Sequence, residues 1–409
     1  MPEPPLWRSE KGLKPLSDVP TGHWILTGRV LTCVGDQVIE DGFVEVDGER
    51  IKAVGDAAQL GTRRGEALAA GGTLLPGLFN NHAHLAWDGI NDLIKQSVYD
   101  SPETSAYKSA ANMLINLRSG VTTVRDLGMN KSNFAAKQAV EHGIFPGPRL
   151  LITGEAIVQT GGHTYWCCRE ASGPDEMRRA VRDQVRGGAD LIKIMANHDT
   201  LEFTDAELEA VLDEAHRNRL PVTAHATFDA AIERVAQAGV NCIEHGGSMK
   251  DSTIQLLLDR KIPIVTTFAA TIAHGQSGLA REYGIPEARI ADCERVLADP
   301  TRFFADLVRA AKAGVTIAFG TDAGSPMVRH DFIVPEMQFM VELGVVPDNY
   351  GAICSATRAS AQINGLADRL GTLEAGKLAD VIVVGGDPLQ DLEALRRVRM
   401  TFRDGRRFV

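Results

Sequence analysis

Six side chains with the chemistry of metal ligands stand in short apolar runs spread over 240 residues of the chain. They are His82, His84, Lys193, His225, His245 and Asp322. Neutral imidazoles and carboxylates bind zinc and similar divalent cations. A lone histidine in a strand is more often a hydrogen-bonded core residue, but a lysine inside the apolar run DLIKIM is costly to bury as an ammonium. Together the six predict a metal site, provided that the fold brings them to one place.

The elements that carry these residues follow the alternation of a closed parallel barrel. Eight strand-like runs are separated by helix-like segments such as DEMRRAVRDQVRGG and TDAELEAVLDEAHRNR, the second with Thr204 as its N-cap. Eight strands with helical crossovers predict an α/β fold, a (β/α)₈ TIM barrel, whose strand ends meet at one face. The strand runs are TLLPGLFNNHAHL, VTTVRDLG, RLLITGEAI, DLIKIMAN, PVTAHA, NCIEHGG, IPIVTTFA and VTIAFGTDAG.

Both ends of the chain have a different pattern, with short alternating strands broken by Asp-Gly turns. Neither end is long enough for a β-domain alone, so we expect the two to combine in one small β-sandwich beside the barrel. The predicted boundaries are residues 1–76 for a proline-rich irregular arm and the first part of the sandwich, 77–366 for the barrel, and 367–409 for the rest of the sandwich.

The composition excludes several classes of protein. The chain has 409 residues, 44% of them hydrophobic, and a net charge of −10, which argues against nucleic acid or an anionic membrane as partner. It has neither the apolar run of a signal peptide nor a run of about 20 apolar residues that would span a membrane. The six cysteines show no CxxC spacing and are expected to be reduced thiols in a cytoplasmic protein.

Several motifs carry a resemblance to a known group of enzymes. The segments GLFNNHAHL, LIKIMA, TAHA, IEHG and FGTDAG resemble the amidohydrolase superfamily, in its binuclear branch with a carboxylated lysine on strand four. GVTTVRDLG, GPRL and TGGH resemble the imidazolonepropionase-like group within it, which includes metal-dependent Xaa-Pro dipeptidases. The resemblance covers nearly the whole chain.

The resemblance implies which residue holds which metal. His82, His84 and Asp322 would hold one ion, His225 and His245 the other, and a carbamate formed from CO₂ on Lys193 would join them. Buried lysines have the low pKa that this addition needs. The mixed ligands suit zinc first, with manganese or cobalt as alternatives. The resemblance also implies a homo-oligomer.

The expected chemistry is hydrolysis of an amide bond in a small molecule, such as an N-acyl amino acid, a dipeptide or an aromatic amide. A water between two cations about 3.5–4 Å apart loses a proton near neutral pH and can attack a polarised carbonyl as a bridging hydroxide. Asp322 would accept the proton and pass it to the leaving amine, and His163 would hydrogen-bond the developing oxyanion.

Other functions remain open on the same residues. A carbamate, lactone or other ester is a suitable centre for the same hydroxide. A heterocycle deaminase is less favoured, because such members usually lack the strand-four lysine and carry a glutamate where this chain has Phe228. Thr227 replaces a tyrosine that helps many dipeptidase-like members to hold a substrate carboxylate. A non-catalytic scaffold is disfavoured, because all six ligands are present.

Four residues in loops above the strands are candidates for substrate contact. Tyr165 and Trp166 follow His163 and could form a wall for an apolar or aromatic group, or could simply pack the loop. His198 follows strand four, and His330 follows strand eight. Arg125 and Asp126, at the end of strand two, are expected mainly in an ion pair or a network at the barrel rim.

Overall fold

The computed structural model describes residues 21–61 and 65–409, so the predicted irregular arm at residues 1–20 lies outside the described residues. The strands are β1 (His23–Leu31), β2 (Val38–Asp47), β3 (Arg50–Asp56), β4 (Glu66–Pro76), β5 (Leu78–Ala83), β6 (Val121–Asp126), β7 (Arg149–Ile152), β8 (Ile157–Gln159), β9 (Arg169–Ala171), β10 (Ile192–Met195), β11 (Val222–Ala226), β12 (Cys242–His245), β13 (Ile264–Val265), β14 (Ile317–Ala318), β15 (Val381–Val384), β16 (Val398–Arg403) and β17 (Arg406–Arg407).

Helices lie between the central strands, as the alternation predicts. They are α1 (Pro102–Arg118), α2 (Ser132–Glu141), α3 (Pro174–Gly187), α4 (Asp205–Arg217), α5 (Asp229–Ala238), α6 (Asp251–Arg260), α7 (Ala269–His274), α8 (Ser277–Glu282), α9 (Glu287–Ala298), α10 (Pro300–Phe303), α11 (Ala305–Ala313), α12 (Ile333–Leu343), α13 (Asn349–Cys354) and α14 (Ser360–Ile363). No helix in the described part of the chain is both long and apolar enough to cross a membrane.

The predicted α/β barrel is confirmed, and each of the eight predicted runs contains one of its strands. Neighbouring strands pair in parallel: β5 with β6, β6 with β7, and β10 through β14 in chain order. Backbone hydrogen bonds close the two gaps, from Asp190 N to Ile152 O at 2.8 Å and from Asn81 N to Phe319 O at 3.1 Å. Branched and aromatic residues on these strands form one large buried cluster with the surrounding helices.

Local signals in the sequence explain where the helices begin and end. Thr204 caps α4 as predicted and forms a capping box with Glu207, in which each side chain accepts a hydrogen bond from the other residue's backbone N–H. Gly188 and Gly314 follow α3 and α11 in the left-handed conformation, with φ of 93° and 107°. A residue with a Cβ is strained there, so glycine ends the helix and turns the chain into the next strand.

Strands from both chain ends share one sheet, in the order β17-β16-β15-β4-β1-β2-β3. Its strands form a continuous hydrogen-bonded series, so the predicted sandwich is a single sheet that curls over. Bridges between Arg50 and Leu378 and between Thr21 and Arg406 bring its edges back over the face. The enclosed residues, among them Leu26, form a core separate from that of the barrel.

One buried ion-pair cluster joins this curled sheet to the barrel. Arg149, the first residue of β7, donates to Asp380 at 2.9 Å and to Asp404 at 2.5 Å, and also to Thr123 of β6 at 3.1 Å. Side-chain exposure is 18% for Arg149 and 3% for Asp380. Because Asp380 precedes β15 and Asp404 lies in the β16–β17 turn, the guanidinium fixes the C-terminal strands against the barrel.

Replacement of Arg149 by methionine should therefore destabilise the protein, because two carboxylates would be left in a largely dry site without their cation. We expect a loss of about 2–3 kcal/mol in the free energy of unfolding, measured by urea denaturation. Arg281→Met is the matched control, because its ion pair with Glu287 is exposed; it should leave the stability unchanged. Equal stability of both variants would show that the cluster does not tether the sheet.

Candidate metal centre

Five of the six predicted ligands lie in or just beyond the carboxyl-terminal half of a barrel strand, and Lys193 is the second residue of β10. His82 lies in β5 and His84 directly follows it, while Asp322 follows β14 by four residues. The other three are Lys193 in β10, His225 in β11 and His245 at the end of β12. Because parallel strands end at one face, this placement brings the six side chains to the mouth of the barrel.

Three of the predicted ligands converge most closely. The Nε2 atoms of His82 and His84 lie 3.6 and 2.9 Å from Oδ1 of Asp322. The ligand atoms of all three residues lie within 4.8 Å of one another. The other ring nitrogen of His84, Nδ1, is buried and has no hydrogen-bond partner in the described structure. Two imidazoles aimed at one carboxylate are a donor set that fits a divalent cation.

The two remaining histidines continue the cluster on the other side of His82. The ring of His245 lies 4.8 Å from that of His82 and 4.5 Å from that of His225, measured between centroids. Burial and neighbouring positive groups lower the pKa of His82 to about 4 and those of His225 and His245 well below the ordinary value. Imidazoles that are neutral at pH 7 can offer a lone pair to a metal.

The backbone is strained at two of these positions. His245 has φ of 69° and Asp322 has φ of 58°, although neither is a glycine. Such conformations cost roughly 1–3 kcal/mol each and persist only where the surrounding structure enforces them. Asp322 is held by a hydrogen bond from its N–H to the His82 carbonyl at 2.8 Å. The strain turns both side chains from the end of their strand towards the cluster.

Lys193 lies inside the barrel with 1% of its surface exposed. Burial lowers the pKa of its amine, although Glu244 and Asp322 oppose this effect. A lysine with a lowered pKa is more often neutral, and a neutral amine is the form that adds CO₂. The position and the electrostatics of Lys193 are therefore those that a carbamate would need.

Beneath His82, a buried carboxylate connects the cluster to the barrel interior. Glu244 accepts at Oε2 from His82 Nδ1 at 2.8 Å, and at Oε1 from Arg125 Nη2 at 2.5 Å and from the Thr223 hydroxyl. Burial alone would raise the pKa of Glu244, but Arg125 and His82 hold it well below its ordinary value. The carboxylate fixes the His82 tautomer so that Nε2 faces Asp322. The expected ion pair of Arg125 is confirmed.

His245 is oriented by a second chain of hydrogen bonds. Its Nδ1 lies 2.6 Å from the Thr267 hydroxyl, in the loop after β13. The next residue, Phe268, donates its N–H to Glu336 Oε1 at 3.0 Å. Glu336 is fully buried on α12, and burial raises its pKa to about 8. This carboxyl group holds the loop that directs Nε2 of His245 to the cluster.

His163 lies over the cluster, in the loop between β8 and β9. Its ring is 4.6 Å from that of His225. Burial, with the charges of His198 and Lys193, lowers the pKa of His163 to about 4, so the ring is a neutral donor at pH 7. The buried Glu202 accepts from the His163 backbone N–H at 2.6 Å and so fixes the turn.

The four predicted substrate contacts have different positions. Tyr165 is 50% exposed, and the ring of Trp166 stacks on that of Trp87 at 6.2 Å. His198 is exposed and stacks on His163 at 4.8 Å. His330 is 1% exposed, and its ring nitrogens lie 3.0 Å from the Trp87 carbonyl and 3.3 Å from Asn116 Nδ2. The structure thus does not bring His330 to the pocket, because both of its nitrogens serve internal contacts.

Three supporting acidic residues are absent from the sequence-based prediction. Glu244 interrupts the apolar run NCIEHGG and Glu336 the apolar helix IVPEMQFMVEL, which is the same signal that pointed to Lys193. Glu202 gave no such signal, because it lies in a polar loop. Its role depends on the fold of β8 and β9, whose pairing brings His163 next to it.

Glu244→Gln should lower the affinity for zinc about 10- to 100-fold, the usual cost of removing a carboxylate that orients a histidine ligand. Glutamine keeps the shape but leaves the buried Arg125 without its counter-charge. Competition with a chromogenic chelator measures the affinity. The control is Glu214→Gln, a mostly buried ion-paired glutamate on α4 outside the cluster. Unchanged zinc affinity in Glu244→Gln would contradict the role of this carboxylate.

Comparisons with known proteins show the family to which the chain belongs. The model of the amidohydrolase family matches residues 73–408. The ochratoxinase of Aspergillus niger is 29% identical over 364 residues, covering 79% of this chain and 72% of that protein. A crystal structure of a Xaa-Pro dipeptidase with bound methionine in its active site has a TM-score of 0.81 at 27% identity, covering 94% of this chain and 99% of the other.

A second solved structure, of a prolidase complexed with N-methylphosphonate-L-proline, has a TM-score of 0.83 at 28% identity, with coverage of 94% and 99%. The family match spans the barrel and the C-terminal strands, including all six clustered residues. This protein therefore belongs to the amidohydrolase family, is similar to prolidases of known structure, and is a hydrolase that acts on carbon–nitrogen bonds.

Proposed function

We propose that this protein is a binuclear metal-dependent amidase that cleaves an amide bond of a small molecule. The observation that carries the proposal is the convergence of His82, His84 and Asp322 within 4.8 Å, beside a buried lysine and two further histidines. Hydrolases named prolidase, Xaa-Pro dipeptidase and ochratoxinase are similar to this chain and support an amide as the substrate.

The ligand geometry supports two neighbouring ions. His82, His84 and Asp322 would hold one, and His225 and His245 the other, with a carbamate on Lys193 between them. Zinc is the first choice, with manganese or cobalt as alternatives. Bound ions would supply a deprotonated water as nucleophile and polarise the scissile carbonyl.

The protein's own groups would move the proton and stabilise charge. Burial would raise the pKa of Asp322, but His82 and His84 hold it well below its ordinary value, so its carboxylate is ionised and can accept a proton. Its side chain is 21% exposed and faces the mouth of the barrel, where a leaving amine could receive that proton. His163, whose ring lies next to that of His225, would donate a hydrogen bond to the oxyanion.

The loop after β11 argues against a substrate carboxylate at the position where many dipeptidase-like relatives bind one. The hydroxyl of Thr227 accepts from Asn197 Nδ2 at 2.9 Å, and its backbone N–H donates to Asn197 Oδ1 at 3.0 Å. Thr227 is thereby committed to an internal contact. We therefore place N-acyl amino acids and aromatic amides ahead of Xaa-Pro dipeptides. Carbamates, lactones and other esters are the second candidate class.

The test is to load the purified protein with zinc and bicarbonate, count bound metal, and assay a substrate panel. The panel holds N-acyl amino acids, Xaa-Pro and other dipeptides, aromatic amides, carbamates and lactones. We expect about two metals per chain and free amine released from one amide class. Cleavage of only esters, lactones or carbamates would contradict the amidase assignment but keep the site. A protein that binds no metal would contradict the whole proposal.

Two variants separate metal binding from catalysis. Asp322→Asn should keep most of the metal and lose about a hundredfold or more in kcat, because an amide cannot accept the proton.

His163→Ala should lose about a hundredfold in kcat with metal content intact, because the oxyanion would lose a hydrogen-bond donor. The control is His216→Ala, an exposed histidine on α4. A near-normal rate in either site variant would remove that residue from the mechanism.

A further inference from the structure

A continuous arc of aromatic rings surrounds the mouth of the barrel. From one end, the distances between the centroids of neighbouring rings are 6.2, 4.9, 5.3, 4.8, 4.5, 4.6 and 4.8 Å. The loop between β8 and β9 supplies Trp166 at one end of the arc and His163, the last ring but one, near the other end. In order, the rings are those of Trp166, Trp87, His84, His82, His245, His225, His163 and His198.

Solvent reaches only part of this arc. Trp87, His82 and His84 are each 2% exposed and form its buried side. His163 and Trp166 are half-buried, as are His225 and His245. A molecule that reaches the cluster from solvent would therefore meet the half-buried rings of His225 and His245, and the two rings of the β8–β9 loop would form a wall, with His163 next to His225 and Trp166 next to Trp87.

The wall on the Trp166 side is rigid because the ring beneath it is fixed. Trp87 donates its indole N–H to the Ser97 hydroxyl at 2.9 Å. Its carbonyl accepts from Asn112 at 2.8 Å and faces His330 Nε2 at 3.0 Å. Trp166 stacks on this ring with an interplanar angle of 28°.

The loop that carries the wall is anchored at both ends of its exposed part. Glu202 holds the His163 backbone at 2.6 Å. Cys167 is 6% exposed and packs with Met129 and Trp87. A wall that is already ordered costs little entropy when a ligand binds against it.

We propose that the substrate carries a flat aromatic group bonded directly to the scissile amide, and that Trp166 selects it over a saturated group of similar size. This inference rests on the proposed amidase function and narrows its substrate class. Aromatic rings pack favourably on one another, offset or edge to face, beyond the benefit of burial alone.

Two matched pairs of substrates test the inference. One pair compares an anilide with the N-cyclohexyl amide of the same acid; the other compares a benzamide with the cyclohexanecarboxamide of the same amine. The zinc-loaded enzyme should show kcat/KM about tenfold higher for the aromatic member of at least one pair. Trp166→Leu and Trp166→Ala should bring that ratio close to one, mainly by raising KM for the aromatic member, and Trp166→Phe should keep most of it.

The control is Tyr107→Ala, an aromatic residue on α1 that is 78% exposed; it should keep the wild-type ratio. Bound zinc, counted in every variant, shows whether the site remains folded. Equal rates within both pairs for the wild-type enzyme would overturn the inference. So would a loss in the Trp166 variants that is the same for aromatic and saturated members, because that is the result of a purely structural role.

Failure of the proposed function gives a different result. In that case no amide of either pair is cleaved, and calorimetry on the zinc-loaded protein then compares the binding of benzamide with that of cyclohexanecarboxamide. Tighter binding of benzamide that is lost in Trp166→Leu supports the aromatic site. Equal binding of the two amides, or binding unaffected by the variant, rejects it.

Discussion

The buried carboxylate of Glu244 is the interaction on which the rest of the site depends. The barrel interior holds the guanidinium of Arg125 and the amine of Lys193, exposed by 3% and 1% respectively. Burial of such groups is costly unless an opposite charge compensates for them. Glu244 meets Arg125 directly and also lowers the cost of a cation at Lys193. The same carboxylate orients His82, so the charge balance of the core and the direction of a proposed metal ligand are set by one residue.

Other parts of the fold are organised around this centre. The strained backbone at His245 and Asp322 is tolerated because hydrogen bonds from neighbouring strands and loops enforce it. Glu336 accepts from the Phe268 N–H and so holds the loop after β13, in which the neighbouring Thr267 contacts His245. The curled sheet lies outside the chemistry, and its attachment through Arg149 and Asp380 holds the chain ends against the barrel. The cluster therefore stands on the barrel strands, and the anchored loop between β8 and β9 brings His163 to it.

The sequence was sufficient for the barrel and for the cluster, because both depend on local signals. Apolar runs bounded by glycine locate the strands, and the period of two places His82 and His84 on one face. What could not be predicted depends on contacts between distant segments. The β8–β9 pair was missed because each strand has only three residues. The burial of His330 under Trp87 has no local signal, and the curl of the sheet depends on bridges such as that between Arg50 and Leu378.

A crystal structure of the protein loaded with zinc and bicarbonate, with anomalous data collected at the zinc edge, tests the proposed binuclear site most directly. The account predicts two anomalous peaks about 3.5–4 Å apart, one at His82, His84 and Asp322 and the other at His225 and His245. Density for a carboxyl group on the Lys193 amine should join them. A single peak, or an unmodified Lys193 between two ions, would contradict the account.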